Sequence, residues 1–137
     1  MSNRYMNQFP LAFEKQVKSV FAKVAFGAAG APTLSEVDSK GILSVTKDGT
    51  GDYIFKFGSA QPTILDSYVK LLGINVLFNS GGAAPAAPIC YVIQDNSADS
   101  SIAEIEIGVA DYAGALADPA SGEIGYFQFI FGDSTAP

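Results

Sequence analysis

The stretch GILSVTKDGTGDYIFKF, Gly41–Phe57, decides the fold. It divides into two arms, Ile42–Lys47 and Asp52–Phe57, around Asp48-Gly49-Thr50-Gly51. On the second arm Tyr53, Phe55 and Phe57 alternate with Ile54 and Lys56, the period of a pleated strand with one face on a core. Asp-Gly between alternating apolar runs is a strong hairpin signal, because the turn needs positive φ values that glycine adopts without strain. A β-hairpin is predicted here.

Working outward, the same idiom recurs: a short apolar run, then a turn of Gly, Pro, Asp, Asn or Ser. Met1–Pro10 is polar and aromatic without a clear period, and reads as an arm. Phe9, Phe13, Val17, Val20 and Val24 fit helical spacing, while Val20, Ala22, Val24 and Phe26 alternate as a strand. The reading is a short helix or extended arm to about Val17, then a strand. Thr33–Lys40 is a polar connection, and Ser59–Asp66, with Pro62, is a loop. Tyr68–Phe78 is apolar on both faces, which predicts a central strand or one covered by a neighbour, with a bulge at Gly73. Asn79–Pro88 is an uncharged Gly/Ala/Pro loop. Strands follow at Ile89–Gln94 and Ile102–Tyr112, separated by the polar turn Asp95–Ser101. Asp118–Gly122 is a tight turn with Pro early and Gly late. The last strand, Glu123–Gly132, sets Phe127, Phe129 and Phe131 on one face and Tyr126, Gln128 and Ile130 on the other. The expected fold is all-β: a single antiparallel β-sandwich or jelly-roll-like domain of about seven strands over residues 18–137, with an N-terminal arm or short helix over residues 1–17.

Composition narrows the function. Of the 137 residues, 48% are hydrophobic and only 16% charged, below the usual quarter. Either a partner covers apolar surface, or the domain is a compact sandwich rich in Ala and Gly. No run of 18 apolar residues exists, and Met1–Pro10 lacks an apolar core, so neither a membrane span nor a secretory leader is expected. Histidine is absent, which removes the usual general base and the commonest transition-metal ligand. The single cysteine, Cys90, lies in an apolar run and reads as a buried thiol. Arg4 and the seven lysines all lie at or before Lys70, and every later charge is acidic. A mainly basic N-terminal segment on an acidic domain points to attachment to an acidic protein surface. The basic residues are singly spaced, without Trp or His for stacking, so no nucleic-acid partner is expected.

Carboxylates are the remaining candidates for chemistry. Glu104 and Glu106 share a strand face at a spacing near that of a retaining glycosidase pair, but no substrate-stacking Trp accompanies them, and a solvent-facing acidic stripe is the plainer reading. Asp95, Asn96, Asp99 and Asp118 match no calcium loop and are ordinary turn formers. Gly27, Gly30, Gly49 and Gly51 make no phosphate loop, since no Gly-Lys-Ser/Thr follows. No catalytic residue, metal or cofactor is expected.

The order of signals resembles small virion structural proteins of tailed bacteriophages. The residues that carry the resemblance are KVAFGAAGAPTLS (Lys23–Ser35), GILSVTKDGTGDYIFKF (Gly41–Phe57), YVKLLGINV (Tyr68–Val76) and ADPASGEIGYFQFIF (Ala117–Phe131). The resemblance implies a non-enzymatic decoration, or cement, protein made in the host cytoplasm. Such a protein binds the major capsid protein on the outer surface of an assembled head, and forms a homo-oligomer there. Arg4, Tyr5, Phe9, Phe13, Lys15 and Lys18 are the anchors expected at that interface, because Arg and aromatic residues dominate interface energetics. The alternative is a receptor- or glycan-binding module of a fibre, collar or tail appendage, using the loops Asn79–Pro88 and Asp95–Ser101.

Overall fold

A computed structural model describes residues 17–39, 41–57, 68–82, 84–96 and 104–133. Their elements are β1 (Val17–Phe26), β2 (Pro32–Leu34), β3 (Ile42–Gly49), β4 (Asp52–Phe57), β5 (Tyr68–Asn79), β6 (Ile89–Asn96), β7 (Glu104–Ala110) and β8 (Ile124–Asp133), with a single 3-10 turn at Ala28–Gly30. They form two antiparallel sheets of four strands, in the orders β2-β1-β8-β5 and β3-β4-β7-β6. The chain is an all-β sandwich. Among the described residues no helix is long and apolar enough to cross a membrane.

Two aromatic stripes hold the sheets together. Tyr53, Phe55 and Phe57 of β4 and Phe127, Phe129 and Phe131 of β8 are all buried. Across the interface Phe55 meets Phe127 at 4.8 Å and Phe129 at 5.1 Å, while Phe57 meets Phe129 at 4.9 Å and Phe131 at 5.1 Å, centroid to centroid. All four pairs are tilted or edge-on, the arrangement the ring quadrupoles favour. Phe26 and Phe78 extend the cluster at 5.3 Å from Tyr53 and 6.1 Å from Phe127. The alternation of six aromatic residues in two short strands therefore becomes one interdigitated core.

The strand expected after about Val17 is present as β1, with Val20, Ala22, Val24 and Phe26 all pointing into the core at period two, while the helix or arm expected before it lies outside the described residues. Three other expectations need correction. Within Thr33–Lys40 the chain forms β2, whose Thr33 and Leu34 pair with Ala25 and Val24 of β1. In the hairpin, Asp48-Gly49 continues β3 through a register shift, and the turn is Thr50-Gly51, where Gly51 holds φ +66°. A Cβ on Gly51 would stand 2.4 Å from the Val109 carbonyl oxygen, so both conformation and space demand glycine. Finally, β5 is an edge strand rather than a central one, and its outward face is open: Leu77 is 74% exposed. The bulge expected at Gly73 is present as a register shift between Leu71 and Gly73.

Candidate functional site

Three turns that lie far apart in sequence meet at one end of the sandwich. Asp118 Oδ2 accepts from the Lys47 ammonium at 2.8 Å, and Oδ1 accepts from the Gly51 N–H at 2.8 Å. Lys47 also donates to the Ala29 carbonyl, and the Tyr53 hydroxyl donates to the Gly30 carbonyl at 2.8 Å. Gly30 holds φ +69°, and a Cβ there would fall 2.6 Å from Tyr53 Oη and 2.7 Å from Asp118 Cβ. Burial alone would raise the Asp118 carboxyl, but Lys47 and the Gly51 amide outweigh it and hold the group below its ordinary range. Burial, helped by the Asp118 charge, pushes the Tyr53 phenol well above its ordinary value. Every polar atom of Asp118 and Tyr53 in this cluster is engaged in tying backbone segments together. The cluster is a clamp.

On the outer face of β3, β4 and β7, carboxylate oxygens of Asp48, Asp52 and Glu106 lie within 4.8 Å of one another. Asp52 Oδ1 is buried and receives no hydrogen bond. The Glu106 carboxyl is raised above its ordinary value, first by the hydrogen bond it shares with Asp52, then by burial and by repulsion from Asp52, Asp48 and Glu104. Glu106 thus pairs with Asp52 across the strands rather than acting with Glu104. A carboxyl whose folded pKa is raised favours folding below its unfolded pKa, and that contribution is lost as pH rises through the folded value. Glu106→Gln should therefore raise stability at pH 7 by a few tenths to about 1 kcal/mol and leave it unchanged below about pH 4, read as denaturant midpoints at the two pH values.

Asp118 and Asp95 sit at opposite ends of β7: Asp95 pairs with Ile105, whereas Asp118 lies beside Gly51, whose carbonyl accepts from Val109. Asp95 and Asp118 therefore do not assemble, and Asp99 lies outside the described residues. Cys90 is half-buried in β6, and burial pushes its thiol up to about 11. The Asn79–Pro88 segment is anchored rather than free-standing, since Ala87 is buried and the Ala86 N–H donates to Glu123 Oε1 at 2.9 Å.

One group of exposed apolar side chains lies on the outer face of the β1, β8 and β5 strands, while Ile89, Tyr91, Val92 and Ile93 of β6 form another. Register places Lys23, Tyr126 and Leu77 in one row and Phe21, Gln128 and Asn75 in the next. Phe21 is 46% exposed and Tyr126 42%. Asn75 and Gln128 bond each other at 3.0 Å, and Lys23 bonds Asp38 at 3.2 Å, so the polar members of the grid are paired among themselves. Between them lies a shallow depression of about 430 Å³ lined by Phe21, Lys23, Asp38, Leu77, Tyr126 and Gln128. Val37, on the adjoining loop, is almost fully exposed. A flat sheet face with paired polar groups and unpaired apolar ones suits contact with a protein surface.

Of the anchors expected from sequence, Arg4, Tyr5, Phe9, Phe13 and Lys15 lie outside the described residues. Lys18 is in β1, opposite Phe131. Of the other basic residues, Lys23 and Lys47 are engaged within the domain by Asp38 and Asp118. Phe21, Leu77 and Tyr126 escaped sequence reasoning because an apolar residue on a strand's second face reads as covered. Comparison with models of known protein families, with curated proteins and with solved structures finds no match.

Proposed function

We propose that this chain is a non-enzymatic virion structural protein that binds the outer surface of a phage capsid through the exposed face of β1, β8 and β5. The observation that carries the reading is the Phe21–Tyr126–Leu77 surface, an apolar grid on a sheet stiffened from behind by the aromatic core. The clamp supports it in a second way. Gly30, Lys47, Gly51, Tyr53 and Asp118 belong to the very segments that carry the resemblance to virion proteins, and here they tie turns together rather than face a substrate. Motifs with that use describe a scaffold. The acidic groups that cluster, Asp48, Asp52 and Glu106, lie on the outer face of the other sheet, away from this surface.

The test is the stoichiometry of this chain against the major capsid protein in purified particles. A ratio near one, or a simple fraction of it, is the expected result. A few per cent would instead place the chain in a fibre, collar or tail appendage, and absence from particles would overturn the reading altogether.

A further inference from the structure

The loop that follows β2 is strapped to β1 at both of its ends. It reads Ser35-Glu36-Val37-Asp38-Ser39, with a turn over residues 36–38. The Ser35 N–H donates to the Lys23 carbonyl at 2.9 Å, and the Lys23 N–H donates to Ser39 Oγ at 3.0 Å. Within the turn, Asp38 Oδ2 accepts from the Lys23 ammonium at 3.2 Å and from the Ser35 hydroxyl at 3.1 Å. These two bonds, Lys23 first, hold the Asp38 carboxyl below its ordinary range. The backbone and the ammonium of one strand residue thus fix a five-residue loop.

Val37 stands in the middle of that turn, 93% exposed. Among the described residues it is the most exposed of the large apolar side chains. Neither the turn nor the core accounts for it. Turns favour Gly, Pro, Asn, Asp and Ser, and a side chain this exposed removes almost no apolar area from water. A lone exposed apolar residue is ordinary on a protein surface, but Val37 differs in what carries it and in what lies beside it. Lys23 and Asp38 line the same depression as Phe21, Leu77 and Tyr126, and the Lys23 ammonium lies 6.0 Å from the centroid of the Tyr126 ring. The loop is continuous with the apolar grid.

We propose that Val37 is a preformed anchor that enters an apolar socket on the capsid surface, positioned for it by Lys23 and Asp38. This role rests on the capsid reading of the β1, β8 and β5 face, and adds that the partner is concave opposite the loop. A loop already ordered loses less conformational freedom on docking than one that must be ordered by contact. The Lys23 and Asp38 side chains are 35% and 51% exposed, and an ion pair so open to water contributes little to stability by itself. Its use is geometric: it pins the tip of the turn against β1.

Cosedimentation of the full-length protein with undecorated capsids tests the anchor. Val37→Ser should weaken binding about tenfold and leave the thermal unfolding transition unchanged, since so little of the side chain is buried. Asp38→Ala should weaken binding about threefold in the parent and by no measurable factor in the Val37→Ser background, because Asp38 acts through Val37. Equal binding by the parent and Val37→Ser would overturn the anchor and leave the capsid reading standing, whereas no binding by the parent would overturn both. An Asp38→Ala loss of the same size in both backgrounds would mean that Asp38 meets the capsid directly. That result, or no loss in either background, would overturn the positioning role. Self-association of the parent in sedimentation velocity that Val37→Ser abolishes would give Val37 to a second copy of the chain and overturn its assignment to the capsid.

Discussion

Phe21→Thr combined with Leu77→Thr should weaken binding to undecorated capsids about a hundredfold while leaving the thermal unfolding transition of the domain nearly unchanged. The two halves of that expectation have separate causes. Both side chains stand on the outer face of their sheet, about half exposed at Phe21 and three-quarters at Leu77, so neither contributes much to the packed core. Threonine keeps the strand preference of the positions it enters, and substitutions of this kind usually change stability by no more than about 0.5 kcal/mol each. In a docked complex the same side chains would be buried. Truncating an anchor at the centre of an interface costs about 2 kcal/mol or more, and every 1.4 kcal/mol is about tenfold in affinity. Two such losses, not fully additive, give roughly the hundredfold stated. A matched pair on the opposite face, Glu104→Gln with Lys56→Gln, should leave binding unaltered. Cosedimentation with capsids reads both. Undiminished binding by the threonine pair would move the attachment surface away from this face.

That surface was hidden in the sequence for a definite reason. Period two told which residues of Tyr53–Phe57 and Phe127–Phe131 share a face, and burying an aromatic face leaves only one plausible outcome, so the core was legible. Periodicity does not tell which strand ends a sheet. Tyr68–Asn79, apolar on both sides, reads as internal or covered by a neighbour, yet among the described strands only β8 pairs with it, and the outward Leu77 is 74% exposed. β2 went unseen because three residues beginning with Pro32 carry no alternation to detect. The partner of Glu106 was not legible either: Glu104 shares its strand face, whereas Asp52 is a diagonal neighbour across the ladder, two residues from Ile54, which stands opposite Glu106. Only pairing brings such groups together, and pairing is a long-range property.

The clamp is the clearest case of that kind, since Lys47 and Asp118 are 71 positions apart and still meet at 2.8 Å. Asp118→Ala should lower unfolding free energy at pH 7 by about 2–3 kcal/mol. The loss exceeds that of a surface ion pair because three things fail together. The Lys47 ammonium, on a side chain only about a quarter exposed, loses its counter-charge; the Gly51 N–H loses its acceptor; and the turn bearing Asp118 is cut free from the hairpin. It falls short of the roughly 3–5 kcal/mol of a fully buried pair, since water still reaches both partners. The pH dependence separates the electrostatic part from mere truncation. The Asp118 carboxyl is held below its ordinary value in the folded protein, so its contribution is fully present above the unfolded pKa of about 4 and is lost as pH falls through the folded value. Denaturant midpoints of the parent and of Asp118→Ala should therefore stand well apart at pH 7 and draw together towards pH 2. Asp118→Asn, which keeps an acceptor for Gly51 but offers Lys47 no charge, should fall between them at neutral pH. A pH-independent gap would mean that packing around the Asp118 methylene, and not its charge, holds the three turns together.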